Sequence, residues 1–246
     1  MEAAVVETQV PGAPEARAKN NCFITVPEIT LPGGIIVPSF QVGQYACSKD
    51  EDGVGVINAD DAPWVNINYH KAREACEKSG YKLITETQWL AIAYDASQQD
   101  ANWTKGKVGE GKLFRGIREG NMSSAQPGGY EPADKKERRW LVLSNGERIC
   151  DLNGNVYQWV FDDVQGDEKG IISRNFATDS ASITTPPYPS REKGMGDYKV
   201  WDWSGYALIR GGYWYSESDA GAFNLNGAWP GYEFDSVGFR YTKPGL

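Results

Sequence analysis

The chain has 246 residues, a net charge of −8 and 40% hydrophobic residues, the composition of a globular protein with a substantial core. The acidic balance argues against binding to nucleic acid, which needs clustered Lys and Arg. No apolar stretch approaches the roughly 20 residues of a membrane span, so we predict no membrane insertion. Composition leaves the compartment and the oligomeric state open.

The beginning of the chain differs in composition from the rest. Residues 1–21 are rich in Ala, Pro and Glu, and they lack the basic start and apolar run of a secretory signal. We therefore predict a partly ordered leader over 1–21 and a single domain over 22–246.

Two helices are predicted in the first half of the chain. Residues 35–47 alternate as two short strands with a break near Pro38. A helix follows, capped by Asn66 or Asn68 and stopped by Gly80.

A second helix follows the short strand Lys82–Ile84. Thr85 and Gln88 form the capping-box pattern, in which each side chain satisfies a free backbone N–H near the other residue. Its inner stripe is predicted to be Trp89, Ala93 and Ala96.

The second half alternates short strands with long loops. Residues 138–151 predict a hairpin, because β-forming residues flank Asn145-Gly146, the signature of a type I′ turn. Three further strands are predicted at 155–161, 206–212 and 237–242. The segments 97–138 and 162–200 are predicted as loops, and the whole pattern favours an α+β domain.

Two segments resemble anion-binding motifs without completing them. Residues 106–113 nearly match a P-loop, but Leu113 occupies the position of the magnesium-binding hydroxyl. The basic run 135–139 contains an acid, and we interpret it as a solvated loop.

No metal or cofactor is predicted. Asp151, Asn153 and Asn155 have the spacing of a calcium loop, but Val156 replaces the glycine that such a loop requires. His70 is the only histidine, which excludes multi-histidine metal sites and favours a surface or capping role. Four acids in the segment 162–168 could hold a hard cation, although we favour a solvated loop. They are Asp162, Asp163, Asp167 and Glu168.

The four cysteines match neither a CxxC motif nor a zinc-ligand pair. Buried thiols are therefore expected at Cys22, Cys47, Cys76 and Cys150, with one disulfide as the alternative.

Several segments occur together in a familiar order. "PWVNINYHKAREACEKSGYKLITETQWLAIAYDA" is followed by "GNVYQWVFDD", by "LIRGG" with Trp214, and by "VGFRY". Over roughly residues 35–95 and 139–242 this order resembles the formylglycine-generating-enzyme type of C-type lectin fold. The resemblance implies that Trp89 and Trp159 are large core anchors.

The family contains enzymes and binding proteins, so the fold does not settle the function. Oxidase members use a cysteine pair between the RGG and GFR motifs, but this chain has no cysteine after Cys150. Gln158 also replaces the acid of the family's calcium motif. A calcium-dependent lectin is a further alternative, for which "EPAD" at Glu131–Asp134 is only a partial match.

Residues 203–241 are most similar to the variable region of proteins diversified by retroelements. That resemblance implies a hypervariable ligand-binding surface, altered at template adenines in Asn codons. Such codons cannot become Trp or Glu, so Trp214, Glu217, Trp229 and Glu233 are candidates for a fixed frame. The predicted contact residues are Tyr213, Tyr215, Ser216, Ser218, Asp219, Gly227, Ala228, Gly231, Tyr232, Phe234, Asp235 and Ser236, with Trp229 kept as frame or contact.

The sequence thus predicts a non-catalytic binding protein for a protein or cell-surface ligand. Trp214 and Phe223 should face inward, while Tyr213 and Tyr215 should point outward if the stretch is extended. Tyrosine suits such a surface because it offers a large contact area and one hydroxyl with few torsions to order. The alternatives are a metal-dependent oxidase of the same family and a carbohydrate-binding lectin.

Overall fold

The computed structural model describes residues 21–188, 191–198 and 202–245. The predicted leader lies outside these ranges except for its last residue. Within the described ranges, no helix combines the length and apolarity needed to cross a membrane.

Three α-helices and fourteen short strands form the described part of the chain. The helices are α1 (Tyr69–Lys78), α2 (Glu86–Ser97) and α3 (Ala181–Thr184). Single 3-10 turns cover Asp100–Asn102, Arg191–Lys193 and Glu217–Asp219. The strands are β1 (Phe23–Val26), β2 (Ile29–Thr30), β3 (Ile36–Val37), β4 (Phe40–Gly43), β5 (Ser48–Lys49), β6 (Gly55–Val56), β7 (Lys82–Leu83), β8 (Trp140–Val142), β9 (Arg148–Cys150), β10 (Tyr157–Val160), β11 (Ala207–Arg210), β12 (Leu225–Ala228), β13 (Val237–Gly238) and β14 (Tyr241–Pro244).

Two four-stranded sheets organise these strands. One has the order β1-β4-β14-β7 and joins the two ends of the described chain. The other, which we call the central sheet, has the order β12-β11-β10-β13 and is antiparallel except for the β10–β13 pair. The remaining strands pair as β2-β3, β5-β6 and β8-β9.

Both helix starts follow the predicted capping chemistry. Asn68, not Asn66, caps α1 by accepting a hydrogen bond from the Lys71 backbone N–H. At α2 the capping box of Thr85 and Gln88 is complete. His70, in the first turn of α1, is exposed, which agrees with its predicted surface role.

The predicted hairpin forms, but with a different turn. Of the Asn145-Gly146 pair, only Gly146 has a positive φ, of 86°, whereas a type I′ turn needs two such residues. The Gly146 N–H donates to the Leu143 carbonyl, and the Leu143 N–H donates to the Glu147 carbonyl. This pattern is a type I turn followed by a glycine bulge, so the type I′ prediction was wrong.

Structure also appears where loops were expected. Helix α3 lies inside the predicted loop 162–200, and strand β12 forms within the predicted variable region. Glu137 and Arg139 of the basic run are buried, so that run is not a solvated loop throughout. Arg139 forms a buried ion pair with Asp151 of the calcium-like motif, so this carboxylate has a structural role.

Two buried tryptophans fasten loops to the core. Trp89 of α2 donates its indole N–H to the Ala222 carbonyl at 2.7 Å, and Trp159 of β10 donates to the Ile67 carbonyl at 2.9 Å. Each ring fills one of the two main apolar clusters. The predicted anchors are therefore confirmed, and their polar atoms position the segments beside the candidate site.

Candidate ligand-binding surface

The segment after β11 turns instead of running extended. The Ser216 N–H donates to the Tyr213 carbonyl at 3.0 Å, and the Ser216 hydroxyl accepts from the Tyr213 N–H at 2.9 Å. A 3-10 turn follows at Glu217–Asp219. The extended conformation on which the face alternation depended is therefore not present.

Neighbouring loops fix this turn through backbone hydrogen bonds. The Glu217 N–H donates to the Arg118 carbonyl at 2.8 Å, and the Gly120 N–H donates to the Trp214 carbonyl at 2.8 Å. Gly120 has a φ of +75°, a conformation that favours glycine, and a Cβ there would lie 2.4 Å from the Tyr215 ring unless that ring moved. These contacts tie the turn to the loop around Gly120.

Buried side chains hold the segment from below, and we call them the frame. The frame consists of Trp89, Trp159, Arg210, Trp214 and Phe223, all buried. Arg210 forms an ion pair with Glu86 of α2 and donates to the Phe223 carbonyl at 3.0 Å. The inward orientation predicted for Trp214 and Phe223 is confirmed.

Large aromatic side chains project from this frame into solvent. Of the six large hydrophobic residues exposed in the described ranges, three lie in the predicted variable region: Tyr215 (59% exposed), Trp229 (50%) and Tyr232 (63%). Isolated exposed apolar residues are ordinary, whereas three bulky exposed aromatics within residues 215–232 make this segment a candidate contact surface.

The other predicted contact residues differ in how far they reach the surface. Ser218, Gly231 and Asp235 are exposed, and five more are half-buried: Tyr213, Asp219, Gly227, Phe234 and Ser236. Ser216 and Ala228 are buried. Ser216 is used to hold the turn, and Ala228 belongs to an apolar cluster, so neither offers a free side chain. We refer to the exposed and half-buried set, with Tyr215, Trp229 and Tyr232, as the recognition surface.

Tyr213 packs on the protein more than its neighbour Tyr215 does. Its ring stacks on Tyr157 with centroids 5.5 Å apart, and it meets Trp214 edge-on at 5.4 Å. Burial, followed by the neighbouring Tyr157 and Asp235, raises the pKa of Tyr213. Its hydroxyl is therefore protonated at neutral pH and can donate a hydrogen bond.

The recognition surface has two parts, the turn at 213–219 and the segment 227–236, and the second part is fastened to the start of α1. Backbone N–H groups of Asn66 and Tyr69 donate to the carbonyls of Phe234 and Pro230 at 2.8 and 3.1 Å. Trp229 stacks near Tyr206 with centroids 4.4 Å apart. Backbone hydrogen bonds to neighbouring loops therefore hold both parts of the surface in place.

Tyr157 joins the two parts. It stacks on Tyr213, and its backbone N–H donates to the Ser236 carbonyl at 2.9 Å. A groove of about 400 Å³ opens beside it, lined by Tyr157, Arg191, Tyr213, Tyr215 and the 216–219 turn. The sequence did not single out Tyr157 or Arg191. Tyr157 lies two residues before Trp159 on a predicted strand, whereas nothing in the loop around Arg191 marked it.

Stability measurements should separate these tyrosines. Tyr215→Ala and Tyr232→Ala should each change the free energy of unfolding by no more than about 0.5 kcal/mol, because both side chains are largely in solvent. Tyr213→Ala should cost about 1–2 kcal/mol through lost stacking and burial. Urea unfolding of the three variants tests this order, and equal losses at all three positions would contradict it.

Two short sheets, two capped helices and long loops on a tryptophan-anchored core define an α+β protein of the C-type lectin-like class. The family described as the sulfatase-modifying factor enzyme 1-like domain matches residues 36–244. The chain therefore belongs to that family.

Three solved structures are similar to this chain, and the first of them supports the fold. Treponema denticola variable protein 1 matches with a TM-score of 0.50 and 14% identity, over 91% of this chain and 94% of that chain. The Major Tropism Determinant M1 variant matches with a TM-score of 0.49 and 12% identity, over 89% and 52%. PvdO from Pseudomonas aeruginosa matches with a TM-score of 0.45 and 15% identity, over 91% and 94%. No curated protein sequence matches the chain.

Proposed function

We propose that this chain is a non-catalytic binding protein, a single domain over residues 22–246 that presents the recognition surface to a protein or cell-surface ligand. The observation that carries the proposal is the exposure of Tyr215, Trp229 and Tyr232 on loops fixed by a buried frame. A surface that is already ordered loses less conformational entropy on binding, so more of its contact energy becomes affinity.

The composition of the surface is that of a recognition site. Tyr and Trp dominate binding hot spots because a large amphipathic ring enters a partner's pocket with few torsions to order. Ser218, Gly231 and Asp235 supply small or polar contacts between the rings. The groove beside Tyr157 can take a projecting side chain of the partner, with the Tyr213 hydroxyl as a donor.

Diversification of this surface by a retroelement is part of the proposal. Variable codons would supply exposed Tyr215, Ser218 and Tyr232, whereas Trp214, which such codons cannot encode, is buried. Three other positions outside the codon set are exposed, so they would be constant positions that every variant of the surface shares: Glu217, Trp229 and Glu233.

The genomic locus tests diversification. A near-copy of the segment encoding residues 203–241 should lie close to a reverse transcriptase gene and differ from it at adenines. Sequencing this segment across cells of one population should show substitutions confined to the recognition surface. A locus without the near-copy would remove diversification, and a binding protein with a constant surface would remain.

The competing function is an oxidase that uses a cysteine thiolate. All four cysteines lie in the described ranges, none is in a disulfide, and only Cys22 is exposed. Burial raises the pKa of the Cys47, Cys76 and Cys150 thiols, which makes them poor nucleophiles at neutral pH. The chemistry of these thiols supports the binding proposal.

Alkylation of the native protein measures the difference in reactivity between the exposed Cys22 thiol and the three buried thiols. With iodoacetamide at neutral pH, Cys22 should be modified quickly, and the three buried thiols only after denaturation. Mass spectrometry before and after adding guanidinium counts the labels, with Cys22→Ser as the matched control. Rapid modification of a second thiol in the native control variant would favour a reactive-cysteine function.

A further inference from the structure

A second cavity, separate from the recognition surface, is lined by basic side chains. Its volume is about 400 Å³, within the range of small-molecule sites. The lining residues are Thr104, Lys112, Leu113, Phe114, Arg115, Arg118, Lys135 and Lys136. Five of the eight are cationic in a chain whose net charge is −8, so the local charge is opposite in sign to that of the whole.

The cavity is assembled from two segments of the loop region 97–138 that fold back on each other. Lys112 belongs to the near-P-loop segment 106–113, and Lys135 and Lys136 belong to the basic run 135–139. The two segments meet through their backbones. The Arg138 N–H donates to the Arg115 carbonyl at 2.7 Å, and Arg115 and Glu137 form an isolated parallel β-bridge. Neither segment completes an anion-binding motif, but together they surround one space.

Two arginines form the inner wall, and both are more than nine-tenths buried. Arg115 is 8% exposed and Arg118 is 6% exposed. Arg118 pairs with Glu119 through Nη2 at 2.5 Å, which leaves Nε and Nη1 buried without a hydrogen-bond partner. Unpaired buried donors on a charged group cost free energy, and because both nitrogens are closed to solvent, a ligand would accept from them only after the Arg118 side chain turns toward the cavity.

The charges around Arg115 also favour an added anion. Burial and the adjacent Arg118 lower the pKa of Arg115 to about 10, although Glu119 and Asp219 oppose the shift. Arg115 is held in place by a hydrogen bond from Nη1 to the Ser218 carbonyl at 3.0 Å. Within the described ranges, the exposed lysines 112, 135 and 136 have no ion-pair partner. The five cations of the cavity outnumber the four neighbouring acids, so a positive excess remains: Glu119, Asp134, Glu137 and Asp219.

We propose that this cavity binds a small, multiply charged oxyanion of the phosphate type, with Arg115 and Arg118 as the inner donors and the three lysines at the rim. Guanidinium groups bind phosphate oxygens through paired, charge-assisted hydrogen bonds, and lysines add compact positive charge. The proposal does not rest on the function proposed for the recognition surface, although the cavity adjoins it: Arg115 donates to the Ser218 carbonyl, and the Arg118 carbonyl accepts from the Glu217 N–H.

Isothermal titration of the full chain with pyrophosphate, at constant ionic strength, tests the proposal. We expect saturable binding at one site. Separate titrations with orthophosphate and sulfate compare the Kd values of the three oxyanions. The Lys135→Ala, Lys136→Ala double variant should raise the Kd at least about tenfold, because two charge-assisted contacts are lost. Arg118→Gln should weaken binding further.

A matched control separates the cavity from diffuse charge effects. The Lys105→Ala, Lys107→Ala double variant removes the same net charge from exposed positions that do not line the cavity, and it should bind as the parent does. Absence of saturable heat with pyrophosphate would overturn the proposal. So would equal weakening in the two double-lysine variants, which are surface changes expected to leave folding intact.

Discussion

Glu86→Gln should lower the free energy of unfolding by about 3–5 kcal/mol, the cost of leaving one buried charge without its partner. Glu86 and Arg210 are both fully buried, and Arg210 Nε donates to Glu86 Oε2 at 3.0 Å. Arg210 precedes the two glycines that lead into the recognition surface, and it also binds the Phe223 carbonyl. The substitution keeps the shape of the side chain, so the loss should come from the charge.

Chemical denaturation with matched variants checks this result. Glu233→Gln breaks the exposed pair with Lys71 and should cost at most about 1 kcal/mol. The double variant Glu86→Leu, Arg210→Met removes both buried charges and should be less destabilised than the sum of its single changes. A Glu86→Gln protein as stable as the parent would show that this pair does not hold the frame.

Local chemistry made some elements predictable from the sequence. The capping box at α2 and the Asn68 cap at α1 involve residues three apart, so the sequence contains the whole interaction. Trp89 and Trp159 were identifiable as anchors because large aromatic residues on predicted elements are normally buried. The order of predicted helices and strands was enough to predict an α+β domain, and the C-type lectin-like class followed from the resemblance of the motif order to a known family.

The conformation of the recognition surface depends on contacts that sequence spacing does not show. Tyr213 and Tyr215 were expected to share the outward face of an extended stretch, opposite Trp214, but Ser216 and the distant Arg118 carbonyl hold a turn. As a result Tyr213 packs on Tyr157 while Tyr215 stays in solvent.

The basic cavity was hidden from the sequence for a related reason. Lys112 and Lys135 lie in the same predicted loop, 97–138, and no periodicity relates them. Their proximity results from the pairing of Arg115 with the segment around Glu137, a long-range contact made inside a region predicted only as loop.

The two sides of the 213–235 segment have different requirements. Buried Trp214 and Phe223 determine where the loops lie, since their volume and the carbonyls they position belong to the core. Exposed Tyr215 and Tyr232 contribute little to that core, so other residues at these positions should leave the loops in place. This separation is what a diversified binding surface requires, and it can be measured.

Libraries that randomise the two sides should behave in opposite ways. One library varies the exposed Tyr215, Ser218, Gly231, Tyr232 and Asp235, and the other varies the buried Trp214, Ala220, Ala222, Phe223 and Leu225, with the same degenerate codon at each position. Both libraries are displayed on the cell surface and treated with protease. Most members of the exposed library should resist cleavage, because surface changes usually cost less than about 0.5 kcal/mol of unfolding free energy each. Most members of the buried library should be cleaved, because large-to-small changes at Trp214, Phe223 and Leu225 cost about 2–5 kcal/mol each and larger side chains at Ala220 and Ala222 overpack the core at about 1–3 kcal/mol each.

Sorting the exposed library against an unrelated protein such as lysozyme then tests recognition itself. Binders should emerge whose affinity falls about 30-fold or more when Trp229 is replaced by Ala, because a constant aromatic beside the varied positions would act as a shared hot spot. Tyr94→Ala, at a half-buried aromatic outside the recognition surface, is the control and should leave affinity unchanged. If the exposed library is cleaved as readily as the buried one, the recognition surface is part of the core, and the proposed function loses its physical basis.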